Sequence, residues 1–144
     1  MILYLDTSAI VKLYVDEDGS PLVRSAVEAA EVVATSRVAY AETRAALAAA
    51  SRQGRIAEAE RAVAAAAFRA DWRSFCVVHV TQELVELAAD LAEEKALRGF
   101  DAIHLASAVF LLQRTGQVVR FLAWDRRLNQ AAAEMGLQVE RESG

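Results

Sequence analysis

The sequence predicts an α/β domain built on a parallel sheet, and three observations carry that expectation. Short β-type apolar runs alternate with longer helical stretches along the whole chain. Turn and cap residues punctuate this alternation, whereas linkers do not: Pro21 is the only proline and the six glycines are scattered singly. A chain of 144 residues with 55% apolar composition fits a single domain over residues 1–144 with one substantial, alanine-rich core.

The elements run in order from the N-terminus. Residues 2–5 form the first expected strand. Thr7 and Ser8 offer capping hydroxyls for a short helix over residues 9–14, and the charged turn at 16–21 leads into a helix through about Ala30. Residues 32–35 read as the second strand, with Ser36 capping the next helix. Residues 37–72 are rich in Ala, Glu and Arg, all strong helix formers, and break only at Gly54, which predicts a helical hairpin. A third strand is expected over 75–80. Thr81 then caps a long helix in which Leu84, Leu87, Ala88, Leu91 and Ala92 recur at helical spacing, ended by Gly99. Asp101 opens the next helix, which runs through about Arg114 and exits at Gly116. A fourth strand at 118–123, a helix at 126–135 closed by Gly136, and a short fifth strand at 137–141 complete the alternation.

Composition excludes several functional classes. The single cysteine, Cys76, rules out an internal disulfide framework and a multi-thiolate zinc site, and its apolar surroundings predict a small buried hydrophobe. The N-terminus lacks a signal peptide's pattern and no window approaches the length of a membrane span, so a cytoplasmic protein without membrane contact is expected. A net charge of −4 argues against coating nucleic acid through bulk positive charge. A nuclease can still be acidic, because divalent cations cancel the carboxylates that meet phosphate.

In an open parallel sheet the strands' carboxyl ends gather along one edge, and ligands bind in the crevice there. Asp6 follows the first expected strand and Asp125 the fourth, Glu42 lies about two turns into the helix after the second, and Asp101 starts the helix that feeds the fourth. An aspartate between strand and helix is often only an N-cap. Glu42 differs, because its neighbours at helical spacing are Val38, Ala39, Ala45 and Ala46, a face where an unpaired carboxylate is expensive. Arg44 lies off that face. If the acids converge, their repulsion calls for a cation, and hard oxygen ligands without cysteine or clustered histidine select Mg²⁺ or Mn²⁺. Such a site can hold a scissile phosphate and activate water for in-line displacement.

The segments Leu5-Asp6-Thr7-Ser8-Ala9, Ala41-Glu42, Phe100-Asp101-Ala102-Ile103-His104-Leu105-Ala106 and Trp124-Asp125-Arg126-Arg127-Leu128 resemble, in order and spacing, the successive acidic motifs of VapC-type PIN domains. The resemblance implies a three-layer α/β/α sandwich around a mostly parallel five-stranded sheet, and Mg²⁺- or Mn²⁺-dependent RNA cleavage. It also implies homodimers and inhibition by a cognate antitoxin. By the same resemblance Asp6 and Asp101 are principal metal ligands, Glu42 and Asp125 complete the cluster, and Ser8 orients Asp6 or a phosphate oxygen. One departure is Ala123, where many relatives carry a hydroxyl that can support the fourth acid.

Arg126 and Arg127 are the candidate phosphate contacts, with Lys12, Arg37 and Arg98 near the predicted crevice. His104 is read as a hydrogen-bonded packing residue rather than a ligand, and His79 as a surface or packing residue. Tyr4, Tyr14 and Tyr40 can stack on bases or pack. Among rivals, a haloacid-dehalogenase-type phosphatase requires a second aspartate where Ser8 stands, and a receiver domain requires one after the third strand, where Val80-Thr81 stands. A non-enzymatic PIN-like scaffold has no use for four mutually repelling acids.

Overall fold

The computed structural model describes residues 1–140. Strands β1 (Ile2–Leu5), β2 (Val32–Ser36), β3 (Cys76–Val78), β4 (Val119–Leu122) and β5 (Gln138–Val139) form one sheet in the order β3-β2-β1-β4-β5. All four pairings are parallel, with Tyr4 opposite Ala34 on one side and Phe121 on the other. From the central β1 the chain moves outward to β2 and β3, then returns to β4 on the opposite flank. The strand order therefore reverses between β1 and β4, and a doubly wound sheet opens its binding crevice at the carboxyl ends of such strands.

A central parallel strand is covered on both faces, and β1 is buried at every residue. Its side chains alternate between two cores. Ile2 and Tyr4 pack with Val119 and Phe121, and with Leu84, Leu105 and Leu128 from α5 (Gln82–Lys95), α6 (Gly99–Thr115) and α7 (Arg126–Glu134). Leu3 and Leu5 face the other way, against Ile10, Val23, Ala39 and Phe68 from α1 (Thr7–Tyr14), α2 (Ser20–Ala29), α3 (Val38–Arg52) and α4 (Glu58–Asp71). The result is the three-layer α/β/α sandwich. Phe68 anchors the α3–α4 hairpin through ring contacts of 5.4–5.5 Å with Tyr14, Tyr40 and Trp72. Each such pair adds about 0.5–1.5 kcal/mol to simple burial.

Several expectations change in detail. Asp6, not Thr7 or Ser8, caps α1, because its carboxylate accepts the Ala9 N–H while both hydroxyls turn to other acids. Ser36 ends β2, although its hydroxyl still accepts the Val38 N–H at 3.3 Å. Gly99 does not end α5 but begins α6. The turn is made by Ala96, which adopts the left-handed conformation at φ 54°. The third strand shortens to Cys76–Val78, and Cys76 is exposed, since burial on this edge strand deepens only towards Val78. The fourth shortens to Val119–Leu122 and the fifth to Gln138–Val139; Arg141, the end of the expected fifth strand, lies outside the described residues.

Candidate active site

Asp6 stands immediately after β1, at the point where the strand order reverses. Its peptide N–H continues the ladder to Leu122 O at 3.2 Å, and the Thr35 hydroxyl donates to Leu5 O at 2.7 Å, so both flanking strands fix its backbone. The carboxylate is 6% exposed. Its Oδ1 accepts the Ser8 hydroxyl at 2.6 Å and the Ala9 N–H at 3.0 Å. Burial pushes the Asp6 pKa up, and the nearby Asp101 charge adds to it. Donation from Ser8, the His104 charge and the Ala9 amide only partly oppose that rise.

Glu42 reaches the same edge from α3. Its Oε1 accepts the Thr7 hydroxyl at 2.8 Å and lies 2.8 Å from His104 Nε2. Burial alone would raise this carboxyl, but the hydrogen bonds from His104 and Thr7, with the histidine's charge, outweigh it and hold the pKa below its ordinary value. Asp101 lies in the first turn of α6, where the helix dipole favours a negative charge. Asp125 caps α7, accepting the Leu128 N–H on Oδ1 at 2.8 Å, so this acid finds backbone support despite the apolar Ala123. Arg98 lies between the last two acids, with Nε 3.4 Å from Asp101 Oδ2 and Nη2 4.0 Å from Asp125 Oδ2.

The four acids thus meet pairwise: Asp6 feels the charge of Asp101, Asp101 and Asp125 share Arg98, and His104, which acts on Asp6, binds Glu42. Each keeps one oxygen that accepts no hydrogen bond among the described residues: Asp6 Oδ2, Glu42 Oε2, Asp101 Oδ1 and Asp125 Oδ2. Among the described residues no three His, Cys, Asp or Glu side chains stand as close together as one enclosed ion requires. The donor set is nevertheless all hard oxygen, the chemistry that suits Mg²⁺ or Mn²⁺.

The remaining sequence candidates fall around this edge. Ser8 joins two segments, donating to Asp6 and accepting the Trp124 N–H at 3.1 Å. Arg126 and Arg127 are exposed in the first turn of α7. Arg126 lines a cleft of about 400 Å³ beside Asp125, while Arg127 donates to Ala96 O at 3.1 Å. Lys12 is engaged by Glu17 at 2.9 Å and lies over the Trp124 ring. The residues that sequence reasoning missed are Thr7, taken for a cap, and His104, taken for packing. The available signal was Glu42 itself: an acid on an apolar face needs a partner, and His104 is the histidine that follows Asp101 by one helical turn.

Comparison with known proteins agrees with this geometry. The PIN domain family profile matches residues 3–133. Ribonuclease VapC45 of Mycobacterium tuberculosis is 41% identical over 138 residues, spanning 96% of this chain and 94% of the relative. The crystal structure of Mycobacterium tuberculosis VapC20, described as a toxin that cleaves the sarcin-ricin loop, superposes with a TM-score of 0.64 at 25% identity, covering 90% of this chain and 94% of that one. FitAcB from Neisseria gonorrhoeae shares the fold, with a TM-score of 0.67 at 17% identity over 98% and 97% of the two chains. The chain belongs to the PIN-domain family, in its VapC branch.

Proposed function

We propose that this protein is a metal-dependent endoribonuclease toxin that hydrolyses RNA phosphodiester bonds by in-line attack of water. Asp6, Glu42, Asp101 and Asp125 would hold Mg²⁺ or Mn²⁺. The observation that supports this best is the set of four acids, drawn from separate segments to one sheet edge, each with a donor-free oxygen. When bound, the divalent cation supplies Lewis acidity, which means charge for the scissile phosphate and an activated water.

The chain's own residues prepare that chemistry. Ser8 and the Ala9 amide fix the rotamer of Asp6, leaving Oδ2 as its ligand atom. Thr7 and His104 hold Glu42 ionised. The Leu128 amide orients Asp125, and Arg126 and Arg127 stand beside it to meet phosphate oxygens. A cognate antitoxin belongs to the same reading, with an amphipathic segment laid across the α3–α4 hairpin, where Val63 is 71% exposed. So do a homodimer of single-domain protomers and a cytoplasmic location. No helix among the described residues is long and apolar enough to cross a membrane.

The test is cleavage of RNA by antitoxin-free protein with Mg²⁺, with Mn²⁺ and with chelator, beside Mn²⁺ binding measured by calorimetry. Cleavage is expected only with metal, and Asp6→Asn should abolish both cleavage and most Mn²⁺ binding. Intact RNA from folded, metal-loaded wild type would leave the non-catalytic scaffold as the better reading, and a phosphatase activity on small phosphoesters would revive the dehalogenase-type alternative.

A further inference from the structure

A second concavity, of about 500 Å³, opens between the start of α3 and the end of α4, lined by Arg37, Tyr40, Ala41, Arg69, Trp72 and Arg73. Its cations come from three places. Arg37 follows β2, with its amide bonded to Val78 O at 3.0 Å, which sets it at the carboxyl ends of β2 and β3. Arg69 lies in the last turn of α4, and Arg73 in the short 3-10 turn Trp72–Ser74. Arg44 adds a fourth guanidinium at the rim, 5.9 Å from the Tyr40 ring.

No carboxylate answers this charge. Among the described residues none of the four arginines makes an ion pair, although the chain as a whole carries −4. The nearby Asp71 accepts the Tyr14 hydroxyl at 2.8 Å instead. The floor is aromatic, with the Tyr40 and Trp72 rings 5.1 Å apart at an interplanar angle of 69°. Convergent arginines without counter-charges repel one another, and a chain that keeps them together in a hollow has an anion to offset the cost.

We infer that this concavity is a second contact site for single-stranded RNA, taking a phosphate and a neighbouring base of the substrate at a distance from the bond that is cut. Guanidinium forks match phosphate oxygens, and aromatic faces accept stacked bases of any sequence. An acidic peptide would use the charge but leave the aromatic floor unused. Placement points the same way: Ala41 precedes Glu42, so the hollow begins a quarter turn around α3 from the candidate active site, and a strand lying across the acids runs on towards Arg37. The inference rests on the ribonuclease reading.

The experiment measures binding of a fluorescently labelled single-stranded RNA in chelator, by anisotropy across salt concentrations, together with Mn²⁺-dependent cleavage of the same RNA and of a dinucleotide. Arg69→Ala/Arg73→Ala is expected to weaken binding about tenfold and to flatten the salt slope by about 1.4, at roughly 0.7 per phosphate contact. Dinucleotide cleavage should keep its wild-type rate. Arg69→Lys/Arg73→Lys should restore most of the salt slope, which separates lost charge from lost folding. Unchanged affinity and slope in the alanine variant, while wild type binds and cleaves, would overturn the contact site alone. Competition by poly-glutamate as effective as by RNA of equal charge would also overturn it, in favour of a peptide-type site. Wild type that neither binds nor cleaves RNA would overturn the ribonuclease reading and this inference with it.

Discussion

His104 Nε2 lies 2.8 Å from Glu42 Oε1, so a fully enclosed imidazole holds a carboxylate at the mouth of the crevice. The carboxylate can only accept, which assigns the proton to Nε2, and Nδ1 then accepts the Tyr4 hydroxyl at 2.8 Å. Burial raises the Tyr4 pKa well above its ordinary value, so the phenol keeps the proton it donates.

Replacing this histidine breaks both ends of the link. His104→Ala should cost about 2–4 kcal/mol in urea unfolding, from the cavity and from the polar groups left without partners. With its strongest donor gone, Glu42 is left to its burial, and the acid limb of RNA cleavage should move to higher pH. A variant whose acid limb matches wild type would show that His104 packs without tuning Glu42.

Asp6 and Glu42 carry opposite pH linkages. The folded pKa of Glu42 is lowered, so its contribution to stability is present at neutral pH and is lost as pH falls through that lowered value. The folded pKa of Asp6 is raised, so the native state binds its proton more tightly than the unfolded chain does. Stability from Asp6 is therefore complete below the ordinary carboxylate range and falls as pH rises through the raised value. Asp6→Asn keeps the Oδ1 acceptor for Ser8 and Ala9 and removes the buried charge. In chelator near neutral pH it should gain about 0.5–2 kcal/mol, within the range of single stabilising changes, and the gain should vanish in acid. Urea unfolding across pH measures this, and a destabilised Asn variant at neutral pH would contradict it.

The same four acids show how much the sequence made legible. Asp6 and Asp125 were readable because a strand followed by an acid and then a helix fixes the side chain's place at the sheet edge from local pattern alone. Glu42 was readable as an acid on an apolar face, but its partner was not, since His104 is 62 residues away and reaches it only through packing of α6 beneath the sheet. Ala96 and Gly99 illustrate a local failure. Glycine is the ordinary choice where a helix ends in the left-handed conformation, yet Ala96 takes that conformation and Gly99 starts the next helix. Cys76 failed for a different reason, since alternation predicts which face a strand residue takes but not whether a helix covers that part of an edge strand.

Arg98 occupies the space between Asp101 and Asp125 with a side chain that is 84% exposed. Exposed pairs of this kind contribute little, so Arg98→Ala should change stability by no more than about 0.5 kcal/mol. Its effect should appear instead in cation binding, because it removes a positive charge that competes for the same oxygens. A unit charge about 4 Å away in water is worth roughly 1 kcal/mol, or about a fivefold change in affinity. Calorimetric titration should therefore find Mn²⁺ bound about fivefold more tightly. Weaker Mn²⁺ binding in the variant would mean that Arg98 supports the acid geometry rather than opposing the cation.

Gly19 links the loop before α2 to the segment that carries Asp125. Its φ of 94° is one that side chains rarely adopt, and a Cβ there would lie 2.6 and 2.9 Å from two atoms of the Trp124 ring and 3.1 Å from Lys12 Cδ. The indole has to move to admit a methyl group, and the Trp124 amide is bonded to Ser8, which in turn holds Asp6. Gly54 provides the comparison. It also has positive φ, at 74°, but a Cβ there meets nothing within 4 Å. Gly54→Ala should therefore carry only the backbone cost of about 1 kcal/mol. Gly19→Ala adds the overlap to that cost, so its loss should reach about 2–4 kcal/mol, with the difference arising at Trp124. In a Trp72→Phe background Trp124 is the remaining tryptophan, and its emission should shift in Gly19→Ala but not in Gly54→Ala. Equal losses with no spectral change would mean that the ring yields freely and that this loop does not brace the Asp6–Ser8–Trp124 chain.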